Sequence, residues 1–309
     1  MDLEAFAEHF KSRFPHLVGK KLLVSLSGGV DSVALLFLLH SEEIGLKLEA
    51  AHVHHGVRGE EADRDASFCA NLCADQSIAF HLLRIDPTAP LDAGREGTWR
   101  QLRYEALLRL SAAGSFQAVA TGHHRDDVAE GVLVQLLRGG GPRAIAGIAE
   151  SNADNIIRPL LPWSRAELRS WVEARQIAWR EDSSNLDLTH LRNVVRHRFL
   201  PELEEASPSL RSHLVHLAEA LARDDSYLSE ELAARAAWID PWDPDGGVPI
   251  STIADLPPPL RTRWLHAQAR LVGLSRVTRR QTELFEILVA ERATGAVTLC
   301  GRWCIRLAR

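Results

Sequence analysis

Leu22-Leu23-Val24-Ser25-Leu26-Ser27-Gly28-Gly29-Val30-Asp31-Ser32 decides how the rest of this chain is read. A short apolar run suited to a buried strand passes into a paired-glycine turn. The apolar stretch Val33–Leu39 then continues as a helix. Two glycines let a backbone approach an anion closely, and Ser27, Ser32 and the first amides of the helix can donate hydrogen bonds to phosphate oxygens. The G-x4-G-K-[ST] pattern that sets a lysine on the β- and γ-phosphates is absent. Asp31 stands instead at the helix start, where a carboxylate can hold a Mg²⁺ that neutralises a departing pyrophosphate.

Outward from this loop, short β-like runs alternate with amphipathic segments. Strands are expected at Lys21–Ser25, Leu48–Val53, Ala79–Ile85 and Ala118–Thr121, with another in residues 155–161. Helices are expected at Asp31–His40, Glu60–Asp75, Gly97–Ala112, after the fourth strand through Leu137, and from the capping box Ser164-Arg-Ala-Glu167 to about Arg175. This alternation predicts an α/β fold with a doubly wound, mostly parallel sheet. A break at Pro201–Pro208 precedes a long helical pattern at Leu210–Ala237, further helical segments, and a hairpin-like alternation at Ala296–Leu307. Two domains are expected, residues 1–208 carrying the sheet and 209–309 forming a smaller, mainly helical unit.

Two clusters follow predicted strands, where open α/β sheets bind ligands. His52-Val-His54-His55-Gly56-Val-Arg58-Gly59 has no adjoining Cys or carboxylate set to complete a metal site, so its histidines are read as hydrogen-bonding or plain loop residues. Thr121-Gly122-His123-His124-Arg125-Asp126-Asp127-Val-Ala-Glu130 places His123, Asp127 and Glu130 at three- and four-residue spacing on one helical face. A carboxylate and an imidazole there can bind metal or take a proton from an amine. Two arginine groups, Arg100/Arg103 with Tyr104 and Arg192/Arg196 with Arg198, have helical spacing that suits either a solvated face or phosphate contact.

The 309 residues carry a net charge of −5, and 46% of them are hydrophobic. No apolar run approaches the ~18 residues a membrane span needs. The acidic, amphipathic start Met1–Phe10 is unlike a signal peptide, so a cytoplasmic location is expected. Cys69/Cys73 and Cys300/Cys304 have C-x3-C spacing and read as small apolar residues. Charge is unevenly spread. Residues 261–309 hold ten Arg and three Glu, a local +7 that leaves −12 for the remainder. A basic segment on an acidic body suits a protein that grips an anionic polymer at one end.

Ser27-Gly-Gly-x-Asp31-Ser32 resembles the pyrophosphatase loop of N-type ATP pyrophosphatases, which cleave ATP between the α- and β-phosphates. In chain order the loop, His52–Gly59, Arg100–Tyr104, Gly122–Glu130 with Leu136-Leu-Arg138-Gly139, Ile157-Arg-Pro-Leu-Leu161, and Arg180-Glu-Asp182-Ser-Ser-Asn185 through Arg192–His197 together resemble the tRNA(Ile)-lysidine synthetase family over about two-thirds of the chain. That resemblance implies ATP and Mg²⁺ as cofactors, and L-lysine and CAU-anticodon tRNA(Ile) as partners, with no membrane and room for a homodimer. The reaction it implies adenylates the wobble cytidine and then displaces AMP with the ε-amine of lysine. Carried over, Ser27, Gly28, Gly29, Val30, Asp31 and Ser32 bind ATP, Asp31 holds Mg²⁺, and Asp127 with His123 orients and deprotonates lysine. Arg103 and one of Arg192 or Arg196 contact the nucleotide or the cytidine. The chain departs from the family at His54, where Asn is usual, and at Gly131, where Thr or Ser is usual. It looks like a short form. Two other readings stay open: another ATP pyrophosphatase, such as a tRNA thiolase or an amidotransferase synthetase subunit, and a non-catalytic tRNA-binding protein with a relic loop.

Overall fold

A computed structural model describes residues 1–54, 56, 60–85, 95–181, 187–240, 242, 248–274, 277–300 and 303–307, the side chains of 95–98 and 300 excepted. His55, Arg58, Asp182 and Asn185 of the motifs above lie outside the described residues. The chain divides into two compact units, Met1–Glu219 and Ala220–Arg309.

The first unit holds five parallel strands, β1 (Lys21–Ser25), β2 (Lys47–His54), β3 (Ala79–Arg84), β4 (Ala118–Ala120) and β5 (Ile156–Ile157), in the order β3-β2-β1-β4-β5. The α/β class and the parallel sheet expected from the alternation are present. The strands are short apolar runs because both faces are covered. Leu22 and Val24 of β1 enter a core with Phe6 and Phe10 of α1 (Leu3–Arg13), Val33 and Leu36 of α2 (Val30–Leu39), Cys69 and Cys73 of α3 (Glu60–Asp75), and Leu168 and Val172 of α7 (Arg165–Ala174). Leu23, on the opposite face, packs with Val53, Val119, Ile156 and Leu107 of α4 (Arg95–Ala113). Cys69 and Cys73 are fully buried apolar filler, whereas Cys304 is exposed.

From β1 the chain winds outward to β2 and β3, then returns to β4 and β5. The loops after β1 and β4 therefore diverge at a topological switch point, which opens a crevice above their C-terminal ends. The sequence places the glycine loop after β1 and Thr121–Asp127 after β4, so both motifs border that crevice. A helical layer closes one side. Val128 and Val132 of α5 (Arg125–Leu137) pack on Val195, on Leu200 of α9 (Leu200–Ala206), and on Leu214, Val215 and Ala218 of α10 (Leu210–Arg235). A four-residue helix α6 (Pro142–Ile145) follows α5, and α8 (Leu191–Val194) leads into a π-helical turn, Val195–Phe199. Because its first turns pack on α5, α10 belongs to the first unit up to Glu219, and the division falls within the helix.

The second unit comprises the rest of α10, α11 (Ile250–Ala254), α12 (Pro258–Leu271), α13 (Arg279–Ala290) and an antiparallel hairpin of β6 (Gly295–Cys300) and β7 (Trp303–Leu307). It has its own core. Trp264 stacks on Phe285 with ring centroids 5.9 Å apart and donates its indole N–H to the Ala237 carbonyl at 2.8 Å, while Val297, Ile305 and Leu307 of the hairpin fill the remainder.

Candidate active site

The glycine loop is held open by its own hydroxyls. The Ser27 and Ser32 oxygens lie 3.0 Å apart; Ser32 accepts from the Ser27 amide at 3.1 Å and donates to the Gly29 carbonyl at 2.9 Å. Gly28 has φ +90°, and a Cβ there would stand 3.3 Å from the buried Cys69 Sγ. Only glycine takes both the backbone and the space without strain. Its carbonyl accepts from the Arg180 amide at 2.9 Å, and the Arg180 guanidinium is paired with Asp65, so the segment before Glu181 buttresses the loop. Val30 is buried in the core, which leaves only its backbone amide for an anion.

Close approach of β4 completes the crevice. A Cβ on Gly122 would lie 3.1 Å from the Asp31 carbonyl carbon and from the Ser32 amide, so the Thr121–His123 turn presses directly on the start of α2. The result is a cavity of about 390 Å³ lined by Ser27, Gly29, Asp31, Ser32, Trp99, Arg100, Arg103, Gly122, His123, Asp127 and Arg192. The loop, His123, Asp127, Arg103 and Arg192 thus share one enclosure, and Arg196 reaches it only through Asp127.

Its electrostatics are set by burial and by a dense set of charges. Asp127 is 8% exposed and closes a capping box, its Oδ2 accepting the His124 amide at 2.9 Å. Its Oδ1 accepts from Arg192 at 2.7 Å and from Arg196 at 3.4 Å. Burial alone would raise its pKa; the positive charges of His124 and Arg192, with the bond from the His124 amide, overcome this and bring it down to about 2. Burial pushes His123 down to about 3 despite Asp127, and the Arg100, Arg158 and Arg103 charges add to the shift. His123 is therefore a neutral imidazole, with Nδ1 2.9 Å from the Thr121 hydroxyl.

Several residues outside the expected set belong here. His124, 1% exposed, sits with Nε2 3.6 Å from Asp31 and 3.5 Å from Asp127. Burial opposes its protonation, but the bond to Asp31 and the charges of Asp127, Asp31 and Asp126 win, and its pKa rises. Glu130, 1% exposed, accepts from Arg192 at 2.8 Å and from Arg196 at 2.6 and 2.9 Å. Its place three residues after Asp127 was the only signal for it; His124 gave none beyond lying between two named residues. Arg158, at the end of β5, is buried behind the Arg103–Tyr104 contact and donates to the Ala149 carbonyl at 2.6 Å.

Among the described residues, the buried polar atoms without partners include Asp31 Oδ1 and Arg103 Nε, whose residues line this cavity. Unsatisfied buried groups are costly, and these two mark a place where a polar ligand supplies the missing bonds. Asp31 Oδ1, a carboxylate oxygen at the helix start with nothing donating to it, has the donor chemistry of a Mg²⁺ ligand, and the residues fit that ion. His52 and His54 are otherwise engaged. His52 Nδ1 lies 2.9 Å from the Leu26 carbonyl, with its pKa lowered by burial, and His54 lies 3.2 Å from Asp63. Gly131 faces open space, so a Ser or Thr side chain would fit there.

The family described as the PP-loop domain matches residues 3–203. A tRNA(Ile)-lysidine synthase from Solibacter usitatus is 41% identical over 217 residues, 69% of this chain and 48% of that protein. Another from Chlorobaculum tepidum is 35% identical over 268 residues, 83% of this chain and 80% of the relative. The chain thus spans about half the length of the first relative and most of the second. Among solved structures, the U34-tRNA thiolase NcsA from Methanococcus maripaludis, with its iron–sulfur cluster, superposes with TM-score 0.59 at 21% identity, over 72% of this chain and 80% of that one. That likeness speaks to the fold. The glycine loop at the sheet switch point, the family match over most of the first unit and the 35% identity over 80% of one relative agree: the chain belongs to the PP-loop family and, within it, to the tRNA(Ile)-lysidine synthases.

Proposed function

We propose that the protein splits ATP to AMP and pyrophosphate to activate the wobble cytidine of a CAU-anticodon tRNA(Ile), and then joins lysine to it. The observation that carries this reading is the cavity in which the glycine loop with Asp31 and a buried, ionised carboxylate, Asp127, are brought together, His124 lying 3.6 Å from the one and 3.5 Å from the other.

Ser27, Ser32 and the α2 amides hold the phosphates, and Arg103 and Arg192 supply positive charge where the pentavalent phosphorus develops negative charge. Asp31 would hold Mg²⁺, whose charge would there offset that of the leaving pyrophosphate. The cytidine carbonyl oxygen attacks the α-phosphorus and pyrophosphate leaves. The ε-nitrogen of lysine then attacks the same ring carbon, and AMP departs with that oxygen. Lysine arrives as an ammonium, for which Asp127 is a counter-charge, and it must lose a proton before it attacks. Neither Asp127 at about 2 nor His123 at about 3 is a strong base. The burial and arginine charges that hold His123 down also lower the pKa of an ammonium beside it, which favours loss of its proton to solvent. The basic segment within the second unit, +7 over residues 261–309, is proposed to hold the tRNA.

Incubation with ATP, lysine and tRNA(Ile), followed by digestion to nucleosides and mass spectrometry, tests the reading. The expected product is a cytidine bearing lysine minus water, with AMP and pyrophosphate released stoichiometrically. Release of ADP and orthophosphate, or a sulfur-bearing nucleoside, overturns it.

A further inference from the structure

Two cavities meet at one wall. On one side lies the nucleotide cavity, lined by Asp127 and Arg192; on the other, a space of about 890 Å³ reaches between α5, the start of α7 and α10, lined in part by Glu130 and Arg196. The wall between them is the four-residue cluster itself, two carboxylates and two guanidinium groups.

The two arginines are not held alike. Arg196 grips Glu130 with two bonds, 2.6 and 2.9 Å, and touches Asp127 only at 3.4 Å. Arg192 spreads its donors over Glu130 at 2.8 Å, Asp127 Oδ1 at 2.7 Å and the Asp127 carbonyl at 3.4 Å. Withdrawing Arg192 leaves both Glu130 oxygens satisfied by Arg196, while Asp127 keeps its bond from the His124 amide and loses its one short contact to a cation. Withdrawing Arg196 strips Glu130 of its bidentate partner. Arg192 is the cation that can leave, and it already lines the cavity that takes the phosphates. It is also the more exposed of the two side chains, 27% against 18%.

We propose that Arg192 is a displaceable counter-ion: in the free protein its guanidinium occupies the cation site on Asp127, and on entry of a nucleoside triphosphate it turns to the phosphates and opens that site to the amine. Arg196 stays on Glu130 and keeps the wall charged and folded. Nucleotide therefore binds before amine, and lysine bound without nucleotide competes with a charge the protein carries itself. This rests on the reading of Asp127 as the amine's counter-charge. Coupling of the two ligands is reciprocal, so each should tighten the other by the same factor.

Titrations with α,β-methylene-ATP and with lysine, separately and together, test it. In the wild type, saturating analogue should raise lysine affinity at least tenfold. Arg192→Gln should weaken analogue binding and make lysine affinity the same with and without it. Arg196→Gln should keep the coupling. Asp127→Asn releases Arg192 towards the phosphates, so analogue affinity should equal or exceed that of the wild type. Should Arg192→Gln not fold by thermal melting, Asp127→Asn and Arg192→Lys decide, the latter with a reduced but measurable coupling. Nucleotide-independent lysine binding in the wild type, coupling undiminished in Arg192→Gln, or weaker analogue binding by Asp127→Asn each overturns the proposal. If lysine binds under no condition while the two analogue affinities move as stated, the counter-ion switch stands and the lysine reading falls.

Discussion

The glycine loop and the carboxylate–arginine wall border the same cavity but are built in opposite ways. The loop is six contiguous residues whose work is done by backbone and hydroxyls, with Gly28 at φ +90° and Asp31 as the one charge. The wall joins Asp127 and Glu130 to arginines 62 to 69 positions further along, and every member is a buried or half-buried charge. In the loop, chemistry and stability separate more nearly, because Asp31 Oδ1 bonds to nothing and Oδ2 meets only long contacts, to His124 at 3.6 Å and Arg165 at 3.9 Å. In the wall they do not, since each charge is the solvation of another.

The largest effects should fall on opposite sides of that contrast. Asp31→Ala is expected to lower pyrophosphate release on the order of 10³-fold or more, as several kcal/mol of leaving-group stabilisation disappears, while the melting temperature stays near wild type. Isotope exchange between ATP and pyrophosphate, read beside a thermal melt, checks both halves. A marked loss of stability in Asp31→Ala would break the comparison. Glu130→Ala should do the reverse first: it leaves Arg192 and Arg196 facing each other without their shared partner, a cost of about 3–5 kcal/mol typical of a broken buried ion pair. Denaturant melts should show it directly. Replacing Glu130 together with Arg196 by apolar residues should recover part of that loss, because no uncompensated charge remains.

The same contrast explains what could be read before the structure. The loop, the strands on either side of it and the capping box at Ser164 were legible because each is a local pattern: an apolar run, a glycine pair, a Ser with Glu three residues on. Asp127 and Glu130 were legible as one helical face, but His123, expected on it, precedes the N-cap His124 and reaches the cavity from the turn before the helix. Their partners were not, because Arg192 and Arg196 have the spacing of any solvated helix, and only the packing of Val195 and Leu200 onto Val128 and Val132 turns that face inward. His124 escaped for a related reason. Its position between Asp31 and Asp127 depends on the close approach of Gly122 to α2, which the sequence marks only as one more glycine.

Two glycines sharpen the point at a smaller scale. Gly28→Ala forces an L side chain to φ +90° against a buried sulfur, so it should cost about 1–3 kcal/mol and weaken α,β-methylene-ATP binding about tenfold. Gly131→Ser, in the same unit and in open space within α5, should leave affinity unchanged and stability level or slightly improved. Equal penalties at the two positions would mean that the loop's geometry contributes nothing to binding. Fluorescence titration and melting of both variants decide it.

The smallest expected effect lies in the second unit, whose charge is exposed where the wall's is buried. Arg279 and Arg280 open α13, both exposed; among the described residues Arg279 pairs with Glu283 one turn on, at 2.7 Å. A surface pair of this kind contributes little to folding, so both side chains are free to meet phosphates. Each phosphate contact contributes about 0.7–0.9 to the slope of log affinity against log salt. Reversing both charges, Arg279→Glu with Arg280→Glu, should therefore flatten the slope for tRNA(Ile) by about 1.5 and weaken binding at low salt most. ATP-analogue affinity should not move, since neither residue belongs to the unit that holds the loop. Filter binding over a salt series, with wild type and double variant side by side, measures both quantities. An unchanged slope would mean that these arginines only solvate the helix, and that tRNA is held elsewhere on the chain.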